Sequence, residues 1–406
     1  MCGEAVLKNK ERYITPVDIS EKELKKCMER ALVRLKKNAR QFGDNMVQST
    51  EGILSTNERG HSFNRYLATN KVTWKTGIWT GLYHLAYLYS GDIEFLKVAK
   101  SHLKHYIEAS KHPELHNDHD TGFKFTPSCV AAYKITGDEE AREAALRAAK
   151  ILLDHCCPVN KFVIRIGTGG RGAYIDNYRI LVDSMMNIAL LFWAYDETKD
   201  EAYREAAIGH YSATAKYLIR EDGSSYHHYQ FNPETFEPMY GVTHQGNRDE
   251  SCWSRGHSWL IYGYPVAYRY SKDEEIKNIH KAVSYYFMDN LPKDFIPYWD
   301  FDFTDGSYEP RDSLASAISL CGLYEMCKFL PEHSEERILY QNAADMMLKA
   351  LIEICENKNP ETDCLLGYVT NSRPHCQVIE NCEPFGDYFF FEALVRKLNP
   401  KFELFW

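Results

Sequence analysis

The strongest constraint on the fold of this chain is an alternation. Stretches poor in charge and rich in aromatic residues, at 75–89, 122–135, 180–196, 255–270, 312–328 and 385–397, take turns with charged amphipathic ones at 20–42, 92–109, 138–155, 199–219, 273–291 and 333–356. In the first charged stretch Leu24, Cys27, Met28, Ala31 and Leu35 mark one face, the three-to-four-residue spacing of a helix that buries one side. Ser20, with Glu23 three residues on, reads as a capping box at its start. Each charge-poor stretch but the last meets a charged one through a very short joint: Ser90-Gly91-Asp92, Thr136-Gly137-Asp138, Thr198-Lys199-Asp200, Ser271-Lys272-Asp273 and the variant His333-Ser334-Glu335. An Asp or Ser beside the next helix is a start signal, and a joint this short makes the two helices antiparallel. The connections in the other direction are mostly long, at 43–74, 110–121, 156–179, 220–254, 292–311 and 357–384.

A unit repeated every few tens of residues is the mark of stacked helical hairpins. A charged helix has one face to bury, and a charge-poor one has most of its surface to bury. Twelve helices therefore sort into an inner and an outer ring of six. The chain opens with an outer helix and closes with an inner one, so its ends can pair and shut the circle. The expected fold is an all-α (α/α)6 barrel that spans residues 1–406 as a single catalytic domain. An open solenoid fits the ring-closing ends and the 28 Tyr and 20 Phe less well. In the barrel all the long loops lie where the inner helices begin. Positive helix N-termini then converge on one cavity, which suits a carboxylate-bearing ligand.

A net charge of −9 argues against a polyanion binder such as nucleic acid. No run approaches the ~18 apolar residues of a membrane span, and no apolar segment of signal-peptide type follows Met1. The expectation is a cytoplasmic protein, a monomer or a homodimer. Twelve cysteines without a C-x-x-C pair read as reduced, mostly buried thiols and not as a zinc site.

The candidate chemistry lies at the starts of inner helices. Asp120, in His119-Asp120-Thr121-Gly122-Phe123, is either an N-cap or a carboxylate at the cavity mouth. The surrounding His116-Asn117-Asp118-His119-Asp120 hints at a metal, but no second cluster of ligands accompanies it. Asp183, among Ile180, Leu181, Val182, Met185 and Met186, is out of place in an inner helix. A carboxylate desolvated there is either ion-paired or has the raised pKa of a general acid. Gly167-Thr168-Gly169-Gly170-Arg171-Gly172, after the strand-like 162–166, spells G-x-G-x-x-G, yet the βαβ units of a dinucleotide fold are missing. Arg255 opposes the dipole of its helix start and so calls for an anion: Asp249, Glu250 or a ligand carboxylate. Trp74, Trp79, Trp253 and Trp259 are either core or platforms for a sugar ring, and His227-His228 and Arg311-Asp312-Ser313 share the same rim.

Taken in order, Trp74-Lys75-Thr76-Gly77-Ile78-Trp79-Thr80-Gly81, His119–Phe123, Asp183-Ser184-Met185-Met186-Asn187, Gln245-Gly246, Ser254-Arg255-Gly256-His257-Ser258-Trp259, Arg311-Asp312-Ser313 and Gly386-Asp387-Tyr388-Phe389 resemble the unsaturated glucuronyl hydrolases, glycoside hydrolase family 88. The resemblance implies the same barrel. It also implies release of a non-reducing-end Δ4,5-unsaturated uronic acid from the unsaturated di- and oligosaccharides that polysaccharide lyases leave. The C4=C5 vinyl ether is hydrated, so the carboxylate-spacing rule for retaining and inverting glycosidases does not apply. By that likeness Asp183 is the general acid and then base, and Asp120 is the second carboxylate. Trp74 and Trp259 are stacking walls. His119, His227, Gln245 and Arg255 hold hydroxyls and the uronate carboxylate. No metal or organic cofactor is implied. Some relatives favour sulfated glycosaminoglycan fragments through a Ser-x-Ser-x-Lys stretch in the last long loop. Here that loop reads Thr370-Asn371-Ser372-Arg373-Pro374-His375, which leaves the preferred glycosaminoglycan open. The competing readings are an unsaturated rhamnogalacturonyl hydrolase acting on pectin fragments, a sugar 2-epimerase and a carbohydrate-binding toroid.

Overall fold

The computed structural model describes residues 5–50, 65–116, 118–164 and 178–406. Its inner helices are Trp74–Ser90, Thr121–Phe125 continued by Ala131–Thr136, Ala189–Thr198 preceded by the short Ser184–Asn187, Ser254–Ser271, Ser313–Cys327 and Pro384–Leu398. Each packs on the next, and the last packs back on the first. Their outer partners are Ile93–Ala109, Glu139–Asp154, Glu201–Ala213, Glu275–Asp289, Glu335–Ala350 and, for the last inner helix, Glu21–Phe42. The first outer helix thus closes the ring, and the fold is an (α/α)6 barrel. Burial follows the charge pattern. Ser313–Cys327 is buried at almost every position, whereas Glu21–Phe42 buries a single face that includes Leu24, Cys27, Met28, Ala31 and Leu35.

The short joints work as their residues require. The side chains of Asp92, Asp138 and Asp200 each accept a backbone N–H of the following helix at 3.0 Å. The residue before each Asp adopts the left-handed conformation: Gly91 at φ 70°, Gly137 at 68° and Lys199 at 60°. Glycine takes that conformation without strain and lysine does not, so the turn is what recurs, whichever residue fills it. Ser20 departs from expectation. It precedes Glu21–Phe42, but its side chain makes no capping bond. Its carbonyl accepts the N–H groups of Glu23 and Leu24 at 2.9 and 3.0 Å, so the capping box does not form.

Two predicted helices are altered where they approach the cavity. The stretch 180–196 does not start as a helix. Arg179–Leu181 is a strand paired antiparallel with His228–Phe231, which pairs in turn with Pro238–Val242. A short apolar run reads equally as buried strand or helix from pattern alone. The stretch 122–135 contains a wide π-helical turn at Thr126–Val130, where Pro127 has no N–H to continue the ladder. Of the strand expected over 162–166, the described residues 162–164 form one bridge, Val163 to Cys156, and residues 165–166 lie outside the described residues, as does Gly167–Gly172. The described cysteines are free thiols, and all but Cys156 and Cys376 are buried. Among the described residues no helix is long and apolar enough to cross a membrane.

A buried ionic cluster ties three inner helices together. The Arg396 guanidinium donates to Glu325 at 2.6 Å, to Glu392 at 2.8 Å and to the Tyr262 hydroxyl at 2.7 Å, and Arg269 also donates to Glu325. Both glutamates and Arg396 are buried. Removing one member of such a cluster strands the others without counter-charge. Arg396→Met is therefore expected to lower unfolding stability by about 3–5 kcal/mol, a loss that thermal or urea melts would measure.

Candidate active site

The first turns of the inner helices and the long loops between them enclose a cavity of about 340 Å³. Asp183, Asp120, Trp74 and His119 line it, together with His227, Gln245, Arg255 and Trp259. The eight residues to which the family likeness gave roles therefore line one space.

Asp183 follows the strand Arg179–Leu181 and precedes the helix Ser184–Asn187. Its flanking residues Val182, Met185 and Met186 are wholly buried, while its own side chain keeps 16% exposure toward the cavity. Oδ1 is buried and accepts no hydrogen bond. Oδ2 lies 3.7 Å from His227 Nε2, too far for a hydrogen bond. His227 is fixed from behind. Its Nδ1 accepts the backbone N–H groups of His244 at 3.1 Å and Gln245 at 3.2 Å. Two donors converging on Nδ1 put the proton of the neutral ring on Nε2, the atom that faces Asp183. The Trp253 ring, 4.6 Å away, holds the imidazole from the side.

Asp120 occupies the N-cap position of Thr121–Phe125, yet its carboxylate makes no capping bond. Asp118 orders that turn instead. It accepts the Asp120 N–H on Oδ1 at 3.0 Å and pairs with Lys124 at 2.5 Å. The Asp120 carboxylate faces His119 Nε2 at 3.4 Å. The segments that carry the two aspartates are in direct contact, since Asn187 Oδ1 accepts the Phe123 N–H at 2.7 Å. Among the described residues no three His, Cys, Asp or Glu side chains are grouped as metal ligands.

Residues 45–300 match the family model of Glycosyl Hydrolase Family 88. The chain belongs to glycoside hydrolase family 88. It is 38% identical over 393 residues to the unsaturated chondroitin disaccharide hydrolase of Streptococcus pneumoniae, with 96% of each chain covered. The crystal structure of an unsaturated glucuronyl hydrolase from Streptococcus agalactiae matches this chain with a TM-score of 0.91 at 35% identity, over 100% of this chain and 99% of that one. A variant of that protein with one aspartate changed to asparagine, in complex with dGlcA-GalNAc6S, matches with a TM-score of 0.83 at 33% identity, over 100% and 99% of the two chains. The family 88 chain described here is thus an enzyme of the unsaturated glucuronyl hydrolase type.

The aromatic walls of this family 88 site differ in what they offer. Trp74 is partly exposed, with Phe385 at 4.5 Å and Phe123 at 5.9 Å behind it. Trp259 is only 2% exposed and packs against Phe123 and Phe389, so it forms floor more than open face. Trp79 is core, enclosed by Phe42, Tyr66 and Tyr83. His257 is also structural. It bonds Ser225 at 2.9 Å and the Val283 carbonyl at 2.8 Å, and burial pushes its pKa down to about 4.

The anion of Arg255 is neither Asp249 nor Glu250. Asp249 accepts the Thr243 N–H, and Glu250 lies beside Arg248. Arg255 is buried and donates through Nε to Asp312 at 2.9 Å and through Nη2 to the carbonyls of Thr370 and Asn371. Asp312 starts the adjacent inner helix, and burial raises its pKa while Arg255 lowers it. Arg255 therefore joins the cavity to the last long loop. Arg255→Ala is expected to raise KM and also to lower Tm, because Asp312 is left buried without its counter-ion. Unchanged KM in the steady state would remove Arg255 from substrate contact.

Lys75, Arg179 and His244 also line the cavity, as do Asn371, Ser372 and Gln377 of the last long loop. The sequence reading did not place them in the site. Lys75 carried a signal that could have been used: like Arg255, it is a cation in the first turn of an inner helix, where the dipole opposes it.

Proposed function

We propose that this enzyme hydrates the C4=C5 bond of the unsaturated uronic acid at the non-reducing end of glycosaminoglycan-type disaccharides and short oligosaccharides, with Asp183 as general acid and base. The carrying observation is Asp183 itself. A carboxylate oxygen buried without a hydrogen bond is costly, and it is placed at the cavity where a proton must be delivered. In the proposed course Asp183 in its protonated form gives its proton to C4, and positive charge develops at C5. Asp120 stabilises that charge and steers a water onto C5. The water passes a proton back to Asp183 as it adds, which regenerates the acid. The hemiketal at C5 opens to a ketone, and C1, now a hemiacetal, expels the aglycone alcohol. The products are the shortened saccharide and a 4-deoxy-5-keto uronate. Trp74 supplies a face for the uronate ring, while His119, His227, Gln245 and Arg255 bind its hydroxyls and carboxylate.

The test is ultraviolet absorbance of the purified protein mixed with unsaturated chondroitin, hyaluronan and heparin disaccharides. Hydration destroys the conjugated chromophore directly. The Streptococcus pneumoniae relative is named for chondroitin disaccharides, so loss of absorbance is expected first on that substrate. Loss on none of the three, with turnover of pectin-derived unsaturated fragments, would replace this reading with the rhamnogalacturonyl one.

A further inference from the structure

We infer that Lys75, positioned by Glu383, is a substrate-binding residue that donates to an anionic oxygen of the unsaturated uronate seated on Trp74. The inference rests on the function proposed above. Lys75 lies in the first turn of Trp74–Ser90 and lines the cavity with 13% of its side chain exposed. Its ammonium has three donors. One is used, on Glu383 Oε1 at 2.8 Å, and its other contacts are the faces of Trp74 at 5.8 Å and Phe385 at 5.4 Å. Aromatic faces attract a cation but accept no conventional hydrogen bond. Two donors are thus left toward the cavity, beside the ring on which the sugar stacks.

Glu383 shows that the arrangement is more than a clamp between helices. It is fully buried at the start of Pro384–Leu398, and Ser49 donates to its Oε1 at 3.4 Å. Its Oε2 is buried and has no hydrogen-bond partner. Burial raises its pKa against the pull of Lys75. A desolvated ion pair with open valences on both members is a poor source of stability, but it holds a cation rigidly at a wall that a carboxylate will meet. Arg255 keeps donors for the ligand as well, since Asp312 and two main-chain carbonyls take only its Nε and Nη2 N–H groups and leave those of Nη1. The anionic oxygen belongs to the uronate carboxylate or to a sulfate ester on the same ring.

Steady-state kinetics, read by loss of the unsaturated chromophore, decides between these sources and tests the inference. The substrates are the unsulfated unsaturated chondroitin disaccharide, its uronate methyl ester and a disaccharide sulfated at the uronate 2-position. Because Lys75→Met alone leaves Glu383 without its counter-ion, the double variant Lys75→Met/Glu383→Gln is measured beside it. For a charge-assisted hydrogen bond the KM is expected to rise on the order of tenfold or more, with kcat within about threefold of wild type. A rise on the unsulfated acid that disappears on the ester assigns the carboxylate. A rise confined to the sulfated substrate assigns the sulfate. If the double variant melts like wild type and keeps wild-type KM on all three, Lys75 is structural only and the inference is overturned. A wild-type protein that turns over none of them would instead overturn the proposed function, and this inference with it.

Discussion

Asp183→Asn is expected to fold normally and to lose at least ~10²-fold in turnover, the lower end of what general acid–base catalysis contributes. Asparagine has nearly the same shape, so the packing of Val182, Met185 and Met186 is left intact. The amide cannot give a proton to carbon, and neither can it recover one from water. His227 Nε2, at 3.7 Å from Asp183, remains in place, so binding should change less than kcat. The sign of the stability change is a second readout. Oδ1 of Asp183 is buried without a partner, so the substitution breaks no hydrogen bond there, and an amide carries no charge to desolvate. The melting temperature is therefore expected to match or exceed that of wild type, the pattern of a residue kept for activity at the expense of stability. Ultraviolet turnover assays and thermal melts on the same preparation check both halves. Near-wild-type turnover would move the acid role to another group. Loss of activity together with a large fall in Tm would mean that Asp183 serves the fold.

What could be read from the chain, and what could not, divides by sequence distance. The barrel was legible because its signals are local. Asp92, Asp138 and Asp200 cap within two or three residues of where they stand, and helix periodicity is visible within one stretch. The candidate site was legible as a set of helix starts and the long loops beside them, because the fold brings every inner N-terminus to one end. Its ion pairs were not. Arg255 finds Asp312, and Lys75 finds Glu383, 57 and 308 residues away in sequence. Local reading of Arg255 could offer only the nearby Asp249 and Glu250, or a ligand carboxylate. The error at 180 has another cause. Ile180 and Leu181 are buried in a strand that pairs with Tyr229 and His228, and an apolar run covered on all sides carries no periodicity to tell strand from helix. That strand matters, because it sets Asp183 on the turn before a helix and so lets its carboxylate look into the cavity.

Gly122→Ala is expected to be nearly as damaging as loss of the acid, although it removes no functional group. A Cβ at Gly122 would lie 2.3 Å from the Asn187 carbonyl oxygen, 2.4 Å from its Cα and 2.7 Å from its carbonyl carbon. These are backbone atoms, so no side chain can swing aside to make room. Gly122 stands two residues after Asp120, and Asn187 ends the short helix that begins just after Asp183. The clash can be relieved only by moving the two segments apart, which also strains the bond from the Phe123 N–H to Asn187 Oδ1. Overpacking of this kind costs about 1–3 kcal/mol, and a shift of about 1 Å between catalytic groups costs on the order of 10²-fold in rate. The control is Gly91→Ala. Gly91 has φ of 70° and open space around its missing Cβ, so alanine there should cost about 1 kcal/mol through backbone strain and leave kcat untouched. Similar losses of stability with a rate defect only at Gly122 would show that the spacing of the two aspartate-bearing segments, and not barrel stability in general, sets turnover. Wild-type kcat in a folded Gly122→Ala protein would mean that the second carboxylate tolerates displacement, and Asp120 would then have no role that depends on its distance from Asp183.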